Sequence, residues 1–235
     1  MEIPKLSTMV VLYTVNLKLN TTKILENLPL DSEIIKVEKR GVLTRGKSSR
    51  DNIKRRSKKD KVSNTGFGRN SITIVSLNNG NGSLPIKEIT TKIFQNGVFH
   101  MTGILDPKYD ESTLEYLITK IWLYCKDAII NPPEKWEIIK RRVVLMNYTS
   151  QIIPLNTIHR ENLYNKIKDC GDENVVCSYD PDVYPGVKIQ FKDTKWTSKV
   201  FRTGKLILTG VTSTKQCEDF QILMNTLLKN CLPIK

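Results

Sequence analysis

The chain writes one hairpin twice, and that repetition constrains its fold more than any other feature. KIFQNGVFHMTG, from Lys92 to Gly103, returns as KVFRTGKLILTG, from Lys199 to Gly210. Aligned without gaps, Lys92, Phe94, Gly97, Thr102 and Gly103 meet Lys199, Phe201, Gly204, Thr209 and Gly210. A common Lys-x-Phe-x-x-Gly frame with matched apolar alternation marks an internal duplication. Duplication fixes the architecture before any residue is given a role.

Each hairpin runs into a segment of helical period. Behind the polar starter Asp110-Glu111-Ser112, the residues Leu114, Leu117, Ile118, Ile121 and Cys125 recur at helical spacing. In the second copy Phe220, Leu223, Leu227 and Cys231 do the same, with Ser213 and Gln216 placed as a capping box. Helices are therefore expected over about 110–126 and 214–230. Each has one apolar stripe and needs a sheet face to cover.

Strand alternation says which face that is. Ile93, Phe99 and Met101, like Val200, Leu206 and Leu208, fall on one side. Lys92, Phe94, Val98, His100 and Thr102 fall on the other, as do Lys199, Phe201, Lys205, Ile207 and Thr209. The first set suits burial under helices. The second mixes Lys and Thr with large apolar groups, and no segment of the sequence stands out to cover it. Such a surface suits a ligand that is both charged and flat.

Earlier in each half lies an apolar strand, MVVLYTV (Met9 to Val15) and RVVLMNYT (Arg142 to Thr149). The first lies farther from its hairpin than the second does, which locates an insertion in the first half at about residues 45–65. RGKSSRDNIKRRSKKDK, Arg45 to Lys61, holds nine basic residues against two acidic ones. It reads as a mobile loop, with a phosphate-contacting or nuclear-localisation role standing beside a plain solvated one.

Charge then names a class of partner. Across 235 residues, 37 Lys and Arg against 24 Asp and Glu give a net charge of +13, an excess that favours polyanions by counterion release. The five cysteines show no CxxC spacing, so reduced intracellular thiols are expected and no metal or cofactor. No apolar run approaches a membrane span, and MEIPKLSTMVV lacks the h-region of a signal peptide.

Just upstream of the second hairpin stands CSYDPDVYPGVKIQF, Cys177 to Phe191. With KVFRTGKLILTG it resembles the second repeat of the TATA-box-binding protein (TBP) family. There a Tyr-acidic-Pro-acidic-apolar-aromatic-Pro-Gly run precedes an Ile-Phe-x-x-Gly-Lys hairpin ending in Thr-Gly. In the first half the resemblance is carried by Lys92 to Gly103. The divergence and the insertion resemble the TBP-like proteins of large DNA viruses.

The resemblance implies an α+β fold, a saddle of two pseudo-symmetric repeats, about 1–126 and 139–235, sharing a curved antiparallel sheet. Strands at 8–16 and 142–149 and hairpins at 86–103 and 186–210 would build that sheet, with helices on the convex side. DNA's minor groove would lie on the concave side, with aromatic wedges opening base steps. Phe94 and Phe201 match the inner wedge of each repeat, Tyr184 the second wedge of repeat two, and Phe67 is the nearest candidate for its partner. Thr102 and Thr209 match the central threonines that reach groove acceptors. Lys205 matches a phosphate-contacting lysine whose first-repeat counterpart is Val98.

Departures from the family pattern fall on the readout. Val10 and Val144 stand at the likely positions of the family's central asparagines, Lys92 and Lys199 replace two leucines, and Gln190 replaces a phosphate-binding arginine. A TATA preference does not follow, because minor-groove readout of A·T is degenerate and loses its polar readers here. Asp180, Asp182 and Val183 match the corner the family presents to a TFIIB-like partner.

The resemblance thus implies a transcription initiation factor that binds and bends A·T-rich promoter DNA and recruits a TFIIB-like factor and RNA polymerase machinery. Its expected place is the nucleus or a viral factory in the host cytoplasm, with packaging in the virion a further expectation. No membrane contact is expected. The alternative is a protein-interaction saddle that has lost sequence-specific DNA binding. Catalysis is not expected: the two histidines, His100 and His159, accompany no recognisable nucleophile elbow, P-loop, HExxH or metal cluster.

Overall fold

The computed structural model describes residues 1–52, 70–152 and 157–232. The chain divides into two compact units, Val10–Arg142 and Met1–Met9 with Val143–Lys235. The divisions fall inside two long strands.

In chain order the first unit holds β1 (Lys5–Val15, from Val10), β2 (Lys18–Leu19), α1 (Thr21–Asn27), β3 (Ile34–Lys39) and β4 (Leu43–Gly46). A 3-10 turn (Ser49–Asn52) leads towards β5 (Ser71–Asn78), β6 (Lys87–Phe94), β7 (Val98–Ile104), α2 (Pro107–Tyr124), β8 (Ile129–Ile130) and the start of β9 (Ile138–Gln151). The sheet order is β1-β7-β6-β5-β3-β4, antiparallel from β7 to β4, with β2 and β8 as a separate ribbon. The second unit continues with α3 (Arg160–Asp169), β10 (Val175–Ser178), β11 (Val187–Phe191), β12 (Thr197–Val200), β13 (Lys205–Val211) and α4 (Thr214–Cys231). Its sheet order, β10-β11-β12-β13-β9, is antiparallel throughout. A strand, a helix, a run of strands that ends in a hairpin and a long helix thus recur in one order, with three strands before the hairpin in the first unit and two in the second, and the fold is α+β.

Local sequence explains these elements. Gly97 in the β6–β7 turn has φ of 76°, and a Cβ there would lie 2.3 Å from the carbonyl oxygen of Leu17. Gly204 holds the equivalent turn with φ of 78°, so the repeated glycine is a backbone requirement. α2 buries Leu114, Leu117, Ile118 and Ile121, with Cys125 as its C-cap. α4 is capped by Ser213 Oγ, which accepts from Gln216 N, while Gln216 Oε1 reaches back to Thr212 N. Phe220 fills the core between the rings of Trp196 (5.3 Å) and Phe191 (5.7 Å). Full burial of such a ring contributes about 1.5–3 kcal/mol.

Two helical expectations need correction. α2 starts at Pro107 with Asp106 as N-cap, and Asp110 and Ser112 are buried rather than capping. The Asp110 carboxylate accepts from Tyr13 OH at 2.7 Å and pairs with Arg141 Nε at 2.8 Å. Burial, reinforced by the Asp110 carboxylate, holds the Tyr13 hydroxyl neutral far above its ordinary range. In α4 the buried stripe is Phe220, Met224, Leu227 and Cys231, whereas Leu223 is 41% exposed. Spacing of three and of four residues both continue a stripe, and only the crossing of helix on sheet selects between them.

The first residues of the insertion, 45–52, are more structured than a loop. Arg45 and Gly46 belong to β4, and Arg45 Nη2 donates to Leu28 O at 2.6 Å. Residues 53–65 lie outside the described residues.

Candidate nucleic-acid interface

Residues paired across antiparallel strands share a face, so register shows which side chains stand together. In the second unit α4 packs on β13, and α3 on β10 and β11. Val187, Ile189, Val200, Leu206 and Leu208 are buried on that side. The opposite side carries Lys188 facing Lys199, Lys199 facing Ile207, Ile207 facing Thr149, and Gln190 facing Thr197, which faces Thr209. Lys188 and Lys205 are exposed there, while Lys199, Ile207 and Thr209 are half-buried. Three lysines thus surround an apolar and hydroxyl-bearing strip.

At the outer end of this strip two rings meet. The Tyr184 and Phe201 centroids lie 5.9 Å apart, tilted by 57°, and Lys199 Nζ sits 4.8 Å from the Tyr184 centroid. The Pro185-Gly186 step makes the pair possible: a Cβ on Gly186 would lie 3.1 Å from Tyr184 Cε1 and 3.3 Å from Phe201 Cε1. Arg160, at the start of α3, donates to Pro185 O and stacks on Tyr179, anchoring the loop from the other side. Both rings stay half-buried. A tilted aromatic pair of this kind suits stacking on another flat ring.

The neighbouring corner is built by Asp180. Its Oδ1 accepts from Asp182 N and Val183 N, so this carboxylate folds the turn. Asp182 and Val183 are then left outward, Val183 being 77% exposed.

β9 corrects one position and adds another. Met146, Tyr148 and Ser150 are buried on the helix side, and alternation places Val144 with them, although it is 38% exposed. The opposite side carries Leu145, Asn147 and Thr149. Val144 therefore does not stand on the lysine-bearing face, and Asn147 does. Its buried Oδ1 has no hydrogen-bond partner among the described residues. The Val-Val pair shared by the two strands sets Val10 against Val143 and Tyr13 against Met146, and Tyr13 and Met146 are both buried. A one-residue slip exchanges the faces of a strand.

In the first unit α1 and α2 pack on one side, over Ile72, Ile74, Ile93, Phe99 and Met101. The other side carries Thr73 facing Lys92, Lys92 facing His100, Thr90 facing Thr102, and half-buried Phe94, Val98 and Val10. Burial, then the nearby Lys92 charge, depresses the His100 pKa, so its ring is neutral at neutral pH. This side is partly covered. Ser48–Asp51 lie over it, with Glu88 accepting from Ser48 Oγ and Ser49 N and Asp51 pairing with Lys36. Phe67 lies outside the described residues.

Comparison with known proteins accounts for this pattern. The family model described as "Transcription factor TFIID (or TATA-binding protein, TBP)" matches residues 161–230. The solved Methanococcus jannaschii TBP superposes with a TM-score of 0.59 at 15% identity, covering 98% of this chain and all of that one. The chain has the TATA-binding-protein fold. "TATA-box-binding protein 2" of Methanosarcina acetivorans is 38% identical over 69 residues, which are 29% of this chain and 36% of that relative. The family match runs from α3 into α4. It therefore contains Tyr184, Phe201, Lys205 and Thr209, and the TBP likeness of the first repeat rests on fold.

Proposed function

We propose that the chain is a TBP-like transcription initiation factor that binds double-stranded DNA through the sides of its sheets opposite the helices. The observation that carries this reading is the Tyr184–Phe201 ring pair, held together by Gly186 and flanked by Lys188, Lys199 and Lys205. Lysines meet phosphates, and the rings enter an opened base step in the minor groove, bending the duplex. Thr209, Thr149 and Asn147 offer polar contacts to the groove floor, where A·T pairs present only acceptors. Phe94, Lys92 and Thr102 take the corresponding roles in the first repeat. The exposed corner at Asp182 and Val183, turned by Asp180, receives a TFIIB-like factor that brings the polymerase. We place this activity in the nucleus or a cytoplasmic viral factory, as a factor of a large DNA virus.

Fluorescence anisotropy with A·T-rich and G·C-rich duplexes across a salt series tests the binding, and energy transfer between labelled duplex ends tests the bend. Affinity should fall linearly on a log–log salt plot, with a shorter end-to-end distance in the A·T complex. Absence of binding at 50 mM salt would exclude the reading. A second reading, a protein-interaction module without sequence-specific DNA binding, draws on the carboxylates of Glu38, Asp51 and Glu88 on the first repeat's open side. It requires the anisotropy to be indifferent to sequence.

A further inference from the structure

We propose that residues Arg45–Asp51 form an autoinhibitory strap, which occupies the DNA-facing side of the first repeat and must leave before a duplex can seat there. The proposal rests on the DNA-binding reading above and adds to it a closed state of this repeat.

Burial gives the first evidence. Val75 and Lys36 face each other across β5 and β3, on the side opposite the helices, yet Val75 is only 5% exposed and Lys36 only 8%. Asp51 of the strap lies on Lys36, and Val75 lines one cleft with Ser48, Arg50 and Asp51. Arg45 and Lys47 fix its near end through Leu28 O (2.6 Å) and Ile35 O (3.1 Å). Beyond them Glu88 accepts from Ser48 Oγ and Ser49 N, both at 2.9 Å. Asp51 accepts from Ser48 N at 2.9 Å and from Lys36 Nζ at 2.8 Å. Arg50 reaches inward to Thr90 Oγ1 at 3.4 Å. Beside the strap a cleft of about 510 Å³ has Thr73, Thr90 and Thr102 on its floor. Thr102 is one of the two threonines proposed to meet the groove, so strap and duplex compete for one place.

Charge gives the second. Lys36, a cation available on an otherwise open sheet, is consumed by Glu38 and Asp51, both 2.8 Å from Nζ. Burial opposes the ammonium, but those two carboxylates outweigh it and raise the Lys36 pKa. Lys36 and Arg50 are thus engaged by three carboxylates, Glu38, Asp51 and Glu88, and the Asp51 carboxylate of the strap stands where a phosphate would meet Lys36. Strap release takes Asp51 off Lys36, which keeps its Glu38 partner on β3, and uncovers the threonine floor that a duplex would meet.

The test loosens the strap without changing charge. Ser48→Ala removes the hydroxyl that Glu88 holds, and Ser49→Pro removes the backbone donor beside it. If the closed state dominates in the free protein, the double variant binds an A·T-rich duplex on the order of tenfold more tightly, since apparent affinity scales with the open fraction. Hydrogen exchange on the unaltered protein reads the same event independently: the Ser48 and Ser49 amides are protected when free and lose protection in the complex. Unchanged affinity in the variant, with those amides still protected on DNA, overturns the strap while wild-type binding leaves the DNA reading standing. If neither protein binds any duplex although both melt normally, strap and DNA reading fall together.

Discussion

The two repeats share a frame and differ in what stands on it. In the second, Lys199 rests on the Tyr184 ring and Lys188 and Lys205 are open to solvent. In the first, Lys36 is buried beneath Asp51, and Glu88 holds the strap through Ser48 and Ser49. The same sheet side is therefore basic and aromatic in one copy and closed by carboxylates in the other. Duplication set one frame, and in the first copy Ser48–Asp51, between β3 and β5, lie across it.

The largest expected effect would break the frame of the first repeat rather than its surface. Asp110→Asn turns the buried carboxylate into a neutral amide and weakens two charge-assisted hydrogen bonds, from Tyr13 and from the partly exposed Arg141, each worth about 1.5–3 kcal/mol. Urea unfolding should show the loss, and a change under about 1 kcal/mol would mean that the pair adds little.

The ring pair comes next. Phe201→Ala should weaken binding to an A·T-rich duplex by about 1–3 kcal/mol and reduce bending, with little effect on melting, because a half-buried ring rather than a core one is removed. Phe94→Ala should cost less in the wild type and more once the strap is loosened by Ser48→Ala and Ser49→Pro. That non-additivity, measured as a double-mutant cycle, would sharpen the contrast between repeats. A melting loss of several kcal/mol for Phe201→Ala, as for a core aromatic, would place the ring in the core instead.

Single lysines test the same contrast through salt. Lys205→Ala should lower the salt slope of binding by about one unit, uniformly across duplexes. Lys36→Ala should leave the slope unchanged, because that ammonium is already occupied by Glu38 and Asp51. Equal slopes for the two variants would erase the difference drawn here.

The smallest effect is set by pH. Burial opposes the Glu88 carboxylate, but the Ser49 and Ser48 donors and the Arg50 charge outweigh it and depress its pKa. Its contribution to holding the strap is then complete above the ordinary carboxylate range, and fades as pH falls through the lowered value. Lys36, raised, has the opposite sign: its contribution is complete below the ordinary lysine range and fades as pH rises through the raised value. Protection of the strap amides should therefore be greatest between about pH 5 and pH 10. Protection that grew on acidification would contradict this assignment of charges.

Parts of the candidate site were legible for a physical reason. Alternation along β6, β7, β12 and β13 correctly divided Phe94, Lys92 and Thr102, and Phe201, Ile207 and Thr209, from the buried sides of their strands. Period two is a property of the strand itself and needs no knowledge of what packs on it. α1 and α3 were not legible. TTKILEN is a single short helix capped by Asn20, and RENLYNKIKD buries only Leu163 and Ile167, so neither carries a stripe long enough to recognise.

Sequence by itself determined the duplication, the two hairpins and the long helices that follow them. Each depends on residues near one another in the chain. Tertiary structure alone decided that β9 presents Asn147 and turns Val144 away, that Met224 rather than Leu223 meets the core, and that a run of basic residues begins as a strap across a sheet. Those outcomes rest on partners far away in sequence, Glu88 on Ser49 or Tyr148 on Leu208, and a strand's face or a charge's role is set by the partner it meets.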